Sequence, residues 1–369
     1  MPAQSESQRH TTTHRAVKHA RAEHYLLLSL VAFAASVIVT RLYLQLTGYP
    51  QIGGGNIHIA HLLWGGLLLY IAALLPLILS GSRSLSWSAI LGGVGMGLFI
   101  DEVGKFITSN NDYFYPPAAP IIYAVFLLSV LLFVTVRRQG SDSARTDLFH
   151  VLEEIPNLID GNLTRNELEQ VRGWLRVAVA SENTQLSSLG AAMSAYVEDA
   201  SESIAMARPG LLTRVGQRAE RMGRRVGRRR HRLLILILTA WSGLQAIGGA
   251  ISLILLVRYA DRLSGILPGL LVSAGEMNSV NDMRWFSFGV ILQIIVGGIA
   301  LIGFLLILSH HEPAGTKAAT FSLLLSLSTV VLLTFYLSQF AAIATALGQF
   351  ITLLVVVSFR RWYLTDDSA

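Results

Sequence analysis

His58 and His61 stand at the opening of one strongly apolar stretch, and Asp101, Glu102 and Lys105 close the next. Two antiparallel helices bring all five to the same membrane face. Ionisable groups at membrane depth are rare and are either paired or functional, so these residues are the chemistry this chain has to offer. His58 and His61, three apart, share one helical face. Two imidazoles with one or two carboxylates make a ligand set for zinc, iron or manganese that needs no sulfur. A zinc ion held by three protein groups lowers the pKa of its bound water to about 7 and can hydrolyse an ester or amide. In that arrangement His58, His61 and Asp101 are the metal ligands and Glu102 is the general base. Lys105, or Arg41 from the preceding apolar stretch, steadies the developing negative charge.

The same residues admit other readings. A proton-coupled transporter or ion pathway would use Asp101 and Glu102 as its titrating groups, and a membrane sensor or assembly protein needs no chemistry there. Asp101 and Lys105, four apart with the acid first, also suit an ordinary helix ion pair at headgroup level. On a regular helix the adjacent Asp101 and Glu102 point about 100° apart, so at most one of them is expected to face the histidines squarely unless the other lines a second wall of the same cavity. The loop that follows, Ser109 to Pro117, places Asn110, Asp112 and Tyr113 above the cluster as candidate ligand-binding residues, stiffened by Pro116 and Pro117.

The elements that must position these groups are membrane helices. Hydrophobic residues make up 52% of the 369 and charged ones only 14%, with a mean hydropathy of +0.52; that composition indicates an integral membrane protein. Stretches of about 20 apolar residues suffice to cross a bilayer. Eight are expected, at Tyr25 to Leu46, Ile57 to Ser80, Leu85 to Thr108, Ala118 to Val136, Leu233 to Val257, Phe286 to Leu308, Ala319 to Tyr336 and Gln339 to Phe359. The last two form an uncharged run from Ala318 to Phe359, roughly twice too long for one crossing. Basic residues flank both its ends, Lys317 before and Arg360 and Arg361 after, so a hairpin turning near Ser338 is expected.

Positive charge orients the chain. Arg9, Arg15, Lys18 and Arg21 precede span one, Arg83 separates spans two and three, and an arginine-dense segment precedes span five, which places both termini in the cytoplasm and the His/carboxylate cluster outside. The connection Arg258 to Trp285 falls outside although it carries Arg258, Arg262 and Arg284. Residues 1–24 are polar and lack the apolar core of a secretory signal, and are expected to be a disordered cytoplasmic tail. No cysteine occurs, which excludes disulfides, thiolate metal sites and cysteine nucleophiles.

Membrane blocks of four helices each, 25–137 and 233–369, are thus separated by a cytoplasmic insert, 138–232. Thr164 and Glu167 form a capping box, after which Leu168, Val171, Leu175, Ala178 and Val179 recur at helical spacing, predicting an amphipathic helix from Arg165 to Ala180. Leu148, Val151, Leu152 and Ile155 predict a helix before it, and Leu186, Leu189, Met193 and Tyr196 one after. Such an insert can fold as a small helical domain or lie along the membrane, and offers a surface for a protein partner. Its end, Arg214 to Arg232, carries nine arginines against one glutamate. Each basic charge near an anionic surface contributes about 1 kcal/mol, so contact with anionic lipid headgroups is expected. Nucleic acid is not, because no aromatic or base-reading framework accompanies the arginines.

The run Phe99-Ile100-Asp101-Glu102-Val103-Gly104-Lys105-Phe106-Ile107-Thr108, followed by Asn111-Asp112-Tyr113-Phe114, resembles a motif of uncharacterised bacterial multi-pass membrane proteins, in which a histidine-rich turn opens the preceding span. The likeness covers about Asn56 to Pro120 and implies a grouping with no known activity. The expected location is the bacterial inner (plasma) membrane. Haem held between facing spans is not expected, since the remaining membrane-proximal histidines, His310 and His311, lie at the opposite end of span six. Nor is retinal, since Lys105 is the sole membrane-embedded lysine, nor a nucleotide, since no phosphate-binding loop occurs. The expectation is an all-α polytopic membrane protein, four plus four helices around a helical insert. Its outward-facing His/carboxylate site, between spans two and three, suits a metal-dependent membrane hydrolase, with a proton-coupled transporter or ion pathway as the alternative.

Overall fold

A computed structural model describes residues 16–48, 60–113, 115–138, 143–203, 211–263, 280–337 and 339–364. Among these the chain is helical, with no strand. Eight helices are long and apolar enough to cross a membrane: Ala22–Thr47, His61–Ile78, Ser82–Asp101, Ala118–Arg137, Gly227–Ile251, Ser287–Leu308, Glu312–Tyr336 and Ala342–Tyr363. The protein is therefore a multi-pass membrane protein. Helices are required because hydrocarbon offers no partner to a backbone amide or carbonyl, and a helix satisfies both internally. Large apolar side chains such as Leu63, Leu77 and Leu128 are correspondingly exposed along the spans, where lipid replaces water as their neighbour.

In chain order the helices are α1 (Ala22–Thr47), α2 (His61–Ile78), α3 (Ser82–Asp101), the short α4 (Val103–Ile107), α5 (Ala118–Arg138), α6 (Ala144–Ile159), α7 (Arg165–Val179), α8 (Thr184–Ser203), α9 (Leu211–Leu263), α10 (Val280–Leu308), α11 (Glu312–Leu325), α12 (Val331–Leu337) and α13 (Gln339–Tyr363), with a π-helical segment Ser326–Val330 between α11 and α12. The eight expected spans all appear, with ends displaced by a few residues. One displacement matters: the third span stops at Asp101 rather than running to Thr108, and Glu102 turns the chain before α4 begins. The expected hairpin residue Ser338 lies outside the described residues, as do residues 264–279 of the Arg258 to Trp285 connection.

The chain divides into two compact units. One comprises Met1–Ala32, Leu69–Gly93 and Leu132–Pro209, and the other Phe33–Leu68, Val94–Leu131 and Gly210–Ala369. In the first, α6, α7 and α8 enclose a core of Val151, Leu158, Leu163, Leu168, Val171, Leu175 and Val197. The capping box at Thr164 and Glu167 forms with both reciprocal bonds, and α7 follows the predicted bounds to within one residue. The neighbouring helices pack differently from expectation. Leu152, Leu189 and Tyr196 are exposed, and Leu158 and Val197 fill the core in their place. The insert grips the start of the first span: Arg21 donates to both oxygens of Glu154 at 2.6 Å, and the Ala20 amide donates to Glu153 at 2.8 Å. The Arg21 guanidinium's pKa is raised despite its partial burial, because Glu154 and Glu167 favour the charged form.

In the second unit α9, α10, α11 and α13 meet around Ile235, Ile307, Ala319, Leu323, Val356 and Phe359. Two of the arginines expected to meet lipid are engaged internally, since Arg228 and Arg232 both bind the buried Glu312, at 2.9 and 3.0 Å. The π-helical segment is met by Tyr123 of α5, whose hydroxyl donates to the Leu327 carbonyl at 2.8 Å.

Candidate functional site

The second unit contains the charged cluster that the sequence singles out. Arg41 comes from the last turns of α1, His61 is the first residue of α2, Asp101 ends α3, Glu102 occupies the turn and Lys105 sits on α4. Small residues let these helices meet. A Cβ on Gly65 of α2 would fall 2.7 Å from the Phe99 amide nitrogen and 2.8 Å from the Gly95 carbonyl, so only glycine allows α2 to lie this close to α3. On another side of α3, a Cβ on Gly97 would meet Ser36 of α1 at 2.7 Å. Gly104 does the same for the loop: any side chain there would strike the Asp112 carbonyl at 2.7 Å. Asn111, in the left-handed conformation at φ 55°, completes the reversal that carries Tyr113 back over the helix end.

Asp101 is fully buried and both its oxygens are engaged. Arg41 donates from Nε to Oδ1 at 2.6 Å, and the Tyr113 hydroxyl donates to Oδ2 at 2.6 Å. His61 Nε2 lies 3.2 Å from Oδ2. Glu102 is also fully buried; its Oε1 lies 3.0 Å from His61 Nδ1 and 3.2 Å from Lys105 Nζ. Its Oε2 has no hydrogen-bond partner among the described residues. The Tyr113 ring lies edge-on to His61, and the cations of Arg41 and Lys105 lie 5.9 and 5.3 Å from its centroid. Two buried acids are thus matched by two basic side chains, with one imidazole between the acids. Such matching is what makes burial tolerable, because an unpaired ion would cost several kcal/mol.

The expected geometry requires two corrections. Asp101 and Glu102 both reach the one imidazole, at its Nε2 and Nδ1 respectively, where α3 ends and Glu102 adopts φ −90° and ψ 8°. The Asp101–Lys105 ion pair does not form. Arg41 takes Asp101, and Lys105 turns to Glu102. His61, Asp101, Glu102, Lys105, Arg41 and Tyr113 are therefore together. Asn110 is exposed, and Asp112 contributes its backbone to the turn, its amide donating to Thr108 Oγ1 at 2.8 Å. His58 lies outside the described residues. Among the described residues no group of three or more His, Asp and Glu side chains is arranged to hold a metal ion. Gly104 was not singled out by the sequence reading, although a glycine beside the charged pair was a signal that backbone passes close by.

The chain matches no family model, and neither the curated proteins nor the solved structures include one similar to it. The site must therefore be interpreted from its own geometry.

Proposed function

We propose that the protein is a proton-linked membrane protein, of the transporter or ion-pathway class, in which His61 relays a proton between Asp101 and Glu102. One observation carries this reading: the two nitrogens of a single imidazole each face a different buried carboxylate, at 3.2 and 3.0 Å. An imidazole can accept a proton at one nitrogen and release one from the other, so a proton crosses between the acids while the heavy atoms stay in place. Arg41 and Tyr113 hold Asp101 in position, whereas Glu102 Oε2 is buried with no hydrogen-bond partner among the described residues. Buried carboxylates and histidines at membrane depth are the usual parts of such relays.

A metal-dependent hydrolase, with His58, His61 and Asp101 as ligands, is the second reading. It needs His58 as a further ligand, and it needs Asp101 to exchange Arg41 or Tyr113 for the ion. One preparation tests both. The purified protein is reconstituted in liposomes containing a pH-sensitive dye and given a pH gradient with valinomycin present, beside His61→Gln and Glu102→Gln. Proton movement by the native protein, reduced at least tenfold in both variants, is expected. Native liposomes no leakier than empty ones would overturn the relay. Near-stoichiometric zinc in the same native preparation, lost in His61→Ala and Asp101→Ala, would establish the second reading instead.

A further inference from the structure

The insert's first helix carries two apolar faces, and among the described residues only one of them packs into a protein core. Val151, Ile155 and Leu158 turn into the core shared with α7 and α8. Phe149, Leu152, Pro156 and Ile159 recur at intervals of three and four, so they form a stripe along another side. They are exposed, Phe149 by 43%, Leu152 by 48% and Ile159 by 62%. Arg145, one turn before Phe149 on the same stripe, lies with its guanidinium 4.9 Å from that ring.

Contacts within this unit fix the level at which α6 lies. Its Glu153 and Glu154 bind Ala20 and Arg21, the two residues immediately before the first membrane span, and Asn157 accepts from Ser82 Oγ at 2.6 Å, the first residue of the third. A helix bonded to the opening residues of two spans lies where hydrocarbon gives way to headgroups. His150 strengthens the same attachment, its Nε2 lying 3.0 Å from the Lys18 carbonyl.

We infer that the Phe149–Leu152–Pro156–Ile159 stripe of α6 is seated in the lipid headgroup and upper acyl layer, and that the insert is an interfacial membrane module rather than a domain suspended in water. The stripe has the aromatic and aliphatic composition of an interfacial helix face, with a cationic side chain at its rim to meet phosphate. The Pro156 ring frees a backbone carbonyl one turn earlier, at Leu152, which the wet headgroup layer can satisfy and a dry protein interface cannot.

The absence of native cysteine makes the test direct. Leu152→Cys and Ile159→Cys, each with a nitroxide label, are reconstituted in nanodiscs of phosphatidylcholine with one-third phosphatidylglycerol. Glu169→Cys on the exposed part of α7 serves as the water reference. Relaxation by oxygen exceeding that by a water-soluble nickel chelate at 152 and 159, with the reverse at 169, is the expected result. Nickel accessibility at 152 and 159 equal to that at 169 would overturn the inference, because the stripe would then face water. Protection from both reagents would also overturn it, by placing a protein partner or a second copy over the stripe.

Discussion

Asp101 depends on two donors from outside its own helix, so each can be removed separately. Breaking a buried ion pair by deleting one partner leaves a stranded charge and costs about 3–5 kcal/mol. Arg41→Ala is expected to lose stability in that range, read as a lowered midpoint in thermal unfolding of the detergent-solubilised protein. Restoring charge balance with Arg41→Met and Asp101→Leu together should recover most of the loss, since apolar residues of similar volume fill such sites without penalty. An Arg41→Ala variant as stable as the native protein would mean the pair is held in water, contrary to its burial. Tyr113→Phe removes only a hydroxyl. Losing one hydrogen bond to a carboxylate costs about 1.5–3 kcal/mol, and the same assay should place it well short of Arg41→Ala.

At the scale of elements, the decisive feature is the interruption of α3 at Glu102. Gly104 is the device behind it, because the Asp112 carbonyl occupies the space of a Cβ and cannot move without dragging the loop. Gly104→Ala is expected to cost about 1–3 kcal/mol, the range for overpacking, and to pull Tyr113 from Asp101. A double-variant comparison checks this: if the loop is already displaced, Tyr113→Phe should add little in the Gly104→Ala background. Full additivity would show that Tyr113 stays in place. The insert offers a plainer case, since Leu175 lies in its core and Leu175→Ala should cost about 2–5 kcal/mol. Hydropathy made the spans legible, and the Thr164–Glu167 capping box made α7 legible, because both are local properties of the sequence. The break at Glu102 was not legible: Val103, Phe106 and Ile107 read as a continuation of α3, and the loop backbone that packs against Gly104 comes from Asp112, ten residues beyond the break. Exposure of Leu152 escaped notice for a similar reason, since an apolar residue at helical spacing does not declare whether protein or lipid covers it.

For the whole molecule, the arrangement of crossings and their direction can be separated by a single pair of labels. Asn110 and Glu169 are both exposed, and one membrane-spanning helix, Ala118–Arg137, lies between them in the chain. They must therefore report opposite faces whichever way the protein is inserted. The basic flanks before spans one, three and five carry the expectation that the Glu169 side is cytoplasmic. In intact cells stripped of any outer membrane, Asn110→Cys is expected to react with a membrane-impermeant maleimide, and Glu169→Cys only after lysis. The reversed pattern would leave the crossings and the Asp101–His61–Glu102 geometry unchanged while turning the relay to draw its protons from the cytoplasm. Reaction of both in intact cells would have a larger consequence, since it would remove α5 as a crossing and with it the four-plus-four organisation. Sidedness thus decides which compartment would supply the proton of the proposed relay, whereas the equality or difference of the two labels tests the fold that carries the site.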